Sequence, residues 1–381
     1  MGLRDIAFRA YAALYNIAAR KSVKDKSAVL FSLHEGGFQD SLGEIEKELI
    51  KRGYSVTRVD RDDLDRGPLY ALKFLTVDAV KMARAQYLFL NNNFFPMGWM
   101  KPNPNTTVIQ VWHGLGAFKK FGLHVDQPPE IREKEIGANR NIDYVVCSAE
   151  SIRPIYAEAF GLAPEKVITT GCPIEDYYFR EENTGKEAVL KNRRAFDRKY
   201  PECKDRFLIL YAPTFRDWEE DCPVENVDFD RLISAAEKGT GKKVQILVRL
   251  HPRDVRSKEK LEPIVRNNVK VLDFTDYPDG NGLTVLSDLL ITDYSSICML
   301  PALLKKNIVF YAYDFNRFNG ARSFYYDYME TVPGPVATDM DSLVKILESG
   351  NFGNGRMEKF RKLHFGNPDG KATKHLLDQV L

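Results

Sequence analysis

The sequence predicts an α/β protein made of two doubly wound, Rossmann-like domains that face each other across a central cleft. Three observations point there. From Ser27 onward, short apolar runs alternate with helical stretches, the pattern of parallel strands joined by helical crossovers. Between Pro173 and Asp205 the alternation gives way to a charged stretch, and a second series then begins. The chain has 381 residues, more than the roughly 250–300 at which a single core stops growing.

In the first series, Ala28–Leu33 reads as a strand, followed by a turn at Gly36-Gly37 and a helix over Ser41–Arg52. Strands at Ser55–Val59, Tyr87–Leu90, Thr107–Val111, Tyr144–Cys147 and Val167–Thr169 follow, with Asp78–Ala85 helical. After a helical piece at Lys186–Lys199, the second series has strands at Phe207–Tyr211, Val244–Leu250, Val269–Leu272, Leu286–Ile291 and Ile308–Tyr311. Its helices are expected at Asp230–Glu237, Ser257–Val265 and Ile297–Lys306. The expected division is an amphipathic helix over 1–26, an acceptor-side domain over 27–180, a linker over 181–205, a donor-binding domain over 206–350 and bracing helices over 351–381.

Composition narrows the function classes. The 55 Lys and Arg nearly balance 53 Asp and Glu, so there is no global field for nucleic acid. The five cysteines are scattered and lack CxxC spacing, which argues for reduced thiols and against a disulfide framework or zinc site. No metal and no cofactor are expected. No apolar run approaches the roughly 20 residues that span a bilayer, and no signal-peptide pattern opens the chain. Residues Leu3, Ile6, Ala7, Ala10, Leu14, Ile17 and Ala18 recur at helical spacing among Arg4, Arg9, Arg20 and Lys21. Such a helix either lies in an anionic membrane surface or packs on its own domain.

Ligands of open α/β sheets bind beyond the carboxyl ends of the strands, and four distinctive segments fall there. Trp112-His113-Gly114 follows an apolar strand. A histidine so placed can take a proton from a hydroxyl near neutral pH, or serve as a satisfied structural group. Arg249-Leu250-His251-Pro252 ends another strand, its proline holding His251 extended and Arg249 offering a planar cation for phosphate. Thr292-Asp293-Tyr294-Ser295-Ser296 precedes a helical run, the layout of either a diphosphate site or an ordinary cap. Tyr211-Ala212-Pro213-Thr214-Phe215-Arg216 supplies a hydroxyl and a guanidinium, or is a surface loop.

Taken together with Phe310-Tyr311-Ala312-Tyr313-Asp314, Pro333-Gly334-Pro335 and Asp369-Gly370-Lys371-Ala372, these segments resemble, in order, the motifs of the CDP-glycerol glycerophosphotransferase family of teichoic acid synthesis. The resemblance implies a GT-B fold, a CDP-glycerol donor, and attack by an acceptor hydroxyl on the glycerol-bearing phosphorus with CMP leaving. It makes His113 the general base and gives His251 the transferring phosphate or the departing CMP. Arg249, Thr292, Ser295 and Ser296 would hold the diphosphate with Asp293 nearby, and Thr214, Arg216 and Asp314 would be further donor contacts. Leu300 departs from the pattern, since many members carry an acidic residue there.

The run Trp112–Leu123 resembles the primase branch, which implies one glycerol phosphate added to an undecaprenyl-diphosphate-linked disaccharide at the cytoplasmic face of the bacterial membrane. That acceptor favours the membrane reading of the first helix. The competing expectations are a polyglycerol- or polyribitol-phosphate polymerase or capsule-type transferase, and a catalytically silent nucleotide- or membrane-binding protein.

Overall fold

The structure, a computed structural model, describes residues 3–33, 41–60, 66–216, 222–251, 261, 265, 268–273, 275–277, 279–321 and 323–381. The chain divides into two units, residues 1–179 with 363–381 (unit 1) and residues 180–362 (unit 2). Each is a parallel sheet flanked by helices.

In unit 1 the strands are β1 (Lys24–Ser32), β2 (Ser55–Asp60), β3 (Ala85–Leu90), β4 (Thr107–Gln110), β5 (Tyr144–Cys147) and β6 (Val167–Thr169). They lie in the order β2-β1-β3-β4-β5-β6, and the pairings are parallel. Parallel strands covered on both faces read as near-continuous apolar runs, and β3 is buried at every residue but Gln86. On one face, Leu30, Phe89, Ile109 and Val146 pack with Leu42, Ile45 and Leu49 of the helix Ser41–Lys51 and with Leu376 and Leu377 of the helix Ala372–Val380. Asp176 fixes that last helix, its carboxylate accepting from the N–H groups of Ala372 (2.7 Å) and Thr373 (2.8 Å). A cap of this kind is worth about 1 kcal/mol.

The helix Leu3–Ala18 buries Tyr11, Ala12 and Tyr15 within unit 1. The Tyr11 ring stacks on Phe74 with centroids 5.0 Å apart, and its hydroxyl donates to Met82 Sδ at 3.2 Å. Ile6, Ala7, Ala10 and Ile17, residues of the apolar stripe read from the sequence, remain exposed. One face is packed and another apolar strip faces outward. Among the described residues, no helix is long and apolar enough to cross a membrane.

In unit 2 the strands are β7 (Phe207–Tyr211), β8 (Val244–Val248), β9 (Val269–Val271), β10 (Leu289–Thr292), β11 (Asn307–Tyr311) and β12 (Val336–Ala337). Their order is β12-β11-β10-β7-β8-β9, again parallel. Ile209, Ile246, Ile291 and Val309 pack against Leu232, Leu343 and Leu347 of the helices Phe229–Thr240 and Met340–Ser349. Gly334 lies so close to β11 that a Cβ there would sit 1.9 Å from the Ile308 carbonyl oxygen. Only glycine fits that approach, which accounts for the glycine of the Pro-Gly-Pro run leading into β12.

Several expected elements differ, among them the helix Ile297–Lys306, which is a 3-10 turn at Ser296–Cys298 followed by a helix over Met299–Leu303. Leu286 ends a helix, Gly280–Leu286, whose first turn is capped by Asp279 accepting from the Gly282 N–H; β10 starts only at Leu289. A short buried apolar run does not by itself distinguish helix from strand. The expected helix Asp78–Ala85 is longer and interrupted, comprising Pro68–Lys73, a wide turn at Phe74–Asp78 and Ala79–Ala83, with Ala85 opening β3. The helix Lys186–Lys199 forms with its expected bounds; the segment read as a linker also holds the helix Glu181–Thr184 and clusters with unit 2. There Arg193 donates to the carbonyls of Cys203 (3.1 Å) and Arg206 (2.8 Å). The turn at Gly36-Gly37 and the helix Ser257–Val265, apart from residues 261 and 265, lie outside the described residues.

Candidate active-site segments of the two units

In unit 1, β4 delivers His113 to the carboxyl edge of the sheet. Gln110 closes the strand by donating from Nε2 to the Asn92 carbonyl (3.0 Å) and accepting at Oε1 from the Trp112 N–H (3.0 Å). Trp112 then takes φ = 57°, a left-handed conformation that costs a non-glycine residue about 1–3 kcal/mol and clusters at functional sites. Beyond this bend, His113 is exposed and its Nδ1 lies 3.2 Å from the Asn91 carbonyl oxygen. A carbonyl can only accept, so Nδ1 carries the proton in this bond and the basic lone pair falls on Nε2. The Trp112 ring sits 4.1 Å from the imidazole, centroid to centroid, and meets Phe160 edge-on at 5.3 Å.

Asn91, whose carbonyl engages the candidate residue His113, was not singled out by motif reading, although the run of asparagines directly after the apolar β3 was a visible signal. Its side-chain oxygen also accepts from the Leu33 N–H at 2.7 Å, tying the ends of β1 and β3. Deeper support comes from the chain's far end. Tyr156 donates to the Gly116 carbonyl (2.9 Å), and the Ala117 N–H donates to His364 Nδ1 (3.2 Å). Burial holds the His364 imidazole down at about 3. An unfolded histidine binds a proton near pH 6.5, so the unfolded state gains stability relative to the native one as pH falls from there toward 3. His364→Asn, which keeps an acceptor for Ala117, should therefore lose less stability between pH 7 and pH 4 than the parent chain in denaturant titrations.

In unit 2, the predicted segments leave four adjacent strands, β11, β10, β7 and β8, at one edge of the sheet. His251 is exposed beyond β8, its ring 4.7 Å from that of Phe215 in the segment after β7. Arg249 is mostly buried, and its Nη1 donates to the carbonyls of Asp273 (2.6 Å), Tyr277 (2.6 Å) and Leu272 (3.3 Å). Burial lowers the pKa of this guanidinium, against the pull of Asp273 and Asp279.

Arg216 is at the centre of a buried network. Its Nε and Nη2 donate to the two carboxylate oxygens of Asp314 (2.7 and 3.0 Å), its Nη1 to the Thr214 carbonyl (2.6 Å), and Nη2 lies 2.9 Å from Asp293 Oδ2. The rings of Tyr294, Tyr313 and Phe318 surround it with centroids 5.3–5.5 Å away. Burial works against its charge, and the Asp293 and Asp314 carboxylates more than offset this. Asp293 Oδ1 accepts from the Thr214 and Tyr294 N–H groups (2.7 and 2.5 Å), and Thr292 donates to the Ala212 carbonyl (2.7 Å). Tyr294, not singled out as a site residue, joins the network by donating to Asp314 at 3.0 Å. Thr214, Arg216, Thr292 and Asp293 are all buried, whereas Ser296 is exposed and Ser295 half-buried. Ser295 caps the next turn, accepting from the Ile297 N–H at 3.3 Å.

Comparison with known proteins matches residues 13–381 to the family model described as CDP-Glycerol:Poly(glycerophosphate) glycerophosphotransferase. The chain belongs to this family. Among relatives of this glycerophosphotransferase family, a teichoic acid poly(ribitol-phosphate) polymerase of Bacillus spizizenii is 34% identical over 315 residues. That match covers 80% of this chain but 48% of the relative, so the chain spans about half of that polymerase's length. A teichoic acid ribitol-phosphate primase of the same organism is 30% identical over 379 residues, covering 96% of this chain and 93% of the relative. A structure of the wall teichoic acid polymerase TagF superposes with a TM-score of 0.74 at 23% identity, covering 99% of this chain and 94% of that one. That likeness establishes the shared, GT-B-like fold.

Proposed function

We propose that this family member transfers a polyol phosphate from a cytidine-diphosphate polyol to a hydroxyl of a lipid-linked teichoic acid acceptor. The observation that carries this reading is the exposed His113 imidazole, whose Nδ1 is engaged by the Asn91 carbonyl and whose Nε2 holds the basic lone pair. In the proposed step the acceptor hydroxyl gives its proton to Nε2 and its oxygen bonds to the polyol-bearing phosphorus. The bond from that phosphorus to the oxygen of CMP breaks, and CMP leaves with the electron pair. His251 stabilises the transferring phosphate or protonates the departing CMP. Ser295 and Ser296 contact the diphosphate, while Arg216, Asp293, Asp314, Thr214 and Thr292 hold their segments in register from below. Arg249 acts on the same edge by bracing Leu272, Asp273 and Tyr277.

Ribitol phosphate is the first donor group to test, because the relatives at 34% and 30% identity are both named for ribitol phosphate. Glycerol phosphate is the second reading, favoured by the family model's own description. Addition of a single unit is favoured by the match along nearly the whole ribitol-phosphate primase. Purified protein given CDP-ribitol or CDP-glycerol and an undecaprenyl-diphosphate-linked disaccharide, with or without a first glycerol phosphate, should release CMP and add one unit by mass spectrometry. No CMP with either donor on either acceptor would sink the reading, and a ladder of products would replace the primase by a polymerase.

An acceptor of this kind resides in the cytoplasmic leaflet, and the exposed strip of the helix Leu3–Ala18, with Arg9 and Arg20 beside it, supports peripheral contact with an anionic membrane surface. The double variant Ile6→Asp, Ile17→Asp should cosediment several-fold less with vesicles containing phosphatidylglycerol. Unchanged cosedimentation would place the contact elsewhere.

A further inference from the structure

Unit 1 holds a cavity of about 630 Å³ at the carboxyl ends of β5 and β6, closed on one side by residues 365–379. Its distinctive feature is Glu175, which is 1% exposed. Among the described residues, neither of its carboxyl oxygens completes a well-formed hydrogen bond, the Cys172 N–H being near enough to favour its charge without that geometry. Buried polar groups left in this state are uncommon and call for a partner. Burial pushes this carboxyl up to about 8; the backbone N–H of Cys172 tempers the shift, and Asp176 and Asp369 add to it. Gly171 separates Glu175 from the open cavity. With φ = 81°, it lies where a Cβ would come within 3.3 Å of Glu175 Oε2 and 2.8 Å of the Ala372 Cβ. Both oxygens are closed to water here, so a ligand engages Glu175 by a local shift of this wall.

The lining defines the ligand chemistry. Ser148, Thr170 and Asn367 offer hydroxyls and an amide, and Glu150, Asp369 and Asp378 add carboxylates. The lining contains no Lys or Arg, its His375 is 2.9 Å from Asp369, and Arg153 and Arg52 beside it pair with Glu150 (3.0 Å) and Asp378 (2.7 Å), so the cations nearest the walls are already committed to carboxylates. Among the described residues, no group of His, Cys, Asp and Glu is arranged to hold a metal ion. A purely apolar ligand would leave Glu175 unsatisfied. Hydroxyl groups answer every wall, since they donate to carboxylates and accept from amides. The volume is within the range of small-molecule sites.

We propose that this cavity is a binding site for an uncharged, polyhydroxylated ligand, a sugar or polyol stretch whose hydroxyls complete the hydrogen bonding of Glu175. Such a site is built by residues of unit 1 alone.

Alanine-methyl NMR tests it on the full chain, because Ala149 and Ala372 both line the cavity. Separate titrations with N,N′-diacetylchitobiose, ribitol and inorganic phosphate distinguish a sugar source from a polyol source and either from an anion. The expected result is that the sugar or the polyol moves both methyl signals and phosphate moves neither. Glu175→Leu should weaken that ligand about tenfold, the loss of one or two hydrogen bonds. Asn367→Trp, at an exposed position on the rim, should abolish binding, and it serves alone if Glu175→Leu does not fold. Response to phosphate only, no response to either uncharged probe, or affinity unchanged in Asn367→Trp would overturn the assignment.

Discussion

Replacing His113 by alanine is expected to lower kcat by roughly 10²–10⁴-fold, the usual contribution of a positioned general base, with the donor KM little changed. The split follows from where the group acts. A base that takes the acceptor proton contributes in the transition state and not to binding of the cytidine nucleotide, so its loss falls on kcat. The Trp112 bend and the Asn91 carbonyl are backbone features and persist in the variant, which makes His113→Ala a clean removal of the imidazole. Steady-state CMP release measured against donor concentration checks this. A kcat within a factor of a few of the parent would remove His113 from the chemistry, and a raised KM at constant kcat would make it a binding residue.

Arg216→Ala is expected to produce the largest loss of stability, about 3–5 kcal/mol, as when one partner of a buried ion pair is removed. Asp293 and Asp314 would be left as uncompensated carboxylates in a buried site, and three aromatic rings would lose the cation they surround. For a unit of this size the corresponding calorimetric transition should fall by roughly 6–20 °C. Arg216→Lys keeps the charge but not the two-pronged contact with Asp314, so it should recover only part of the loss. A shift of a degree or two in Arg216→Ala would show that the network contributes little to holding the segments after β7, β10 and β11.

Much of this architecture was legible from apolar periodicity alone. The runs Tyr144–Cys147, Val167–Thr169 and Phe207–Tyr211 form strands with the expected bounds, as strands covered on both faces read as short, near-continuous apolar runs. Less legible was Leu286, where an apolar run serves a buried helix, and β12, whose two residues are too few to show a period. At the site, the sequence could place His113 and His251 at strand ends, and both are exposed there. It could not show that Arg216 and Asp314, 98 positions apart, meet below the surface, nor that His364 supports the loop after His113 from 247 positions away. Such partnerships depend on which strands become neighbours, and no local pattern encodes that.

The return of the chain to unit 1 at residue 363 has a consequence for biogenesis. Unit 2 is one continuous stretch, whereas the core of unit 1 lacks Leu376, Leu377 and Val380 until the residues that follow unit 2 have been made. Residues 1–179, though made first, must wait with one face of their sheet only partly covered while some 180 further residues are synthesised. Released chains truncated before residue 372 should therefore carry a protease-resistant unit 2 beside a protease-sensitive amino-terminal half.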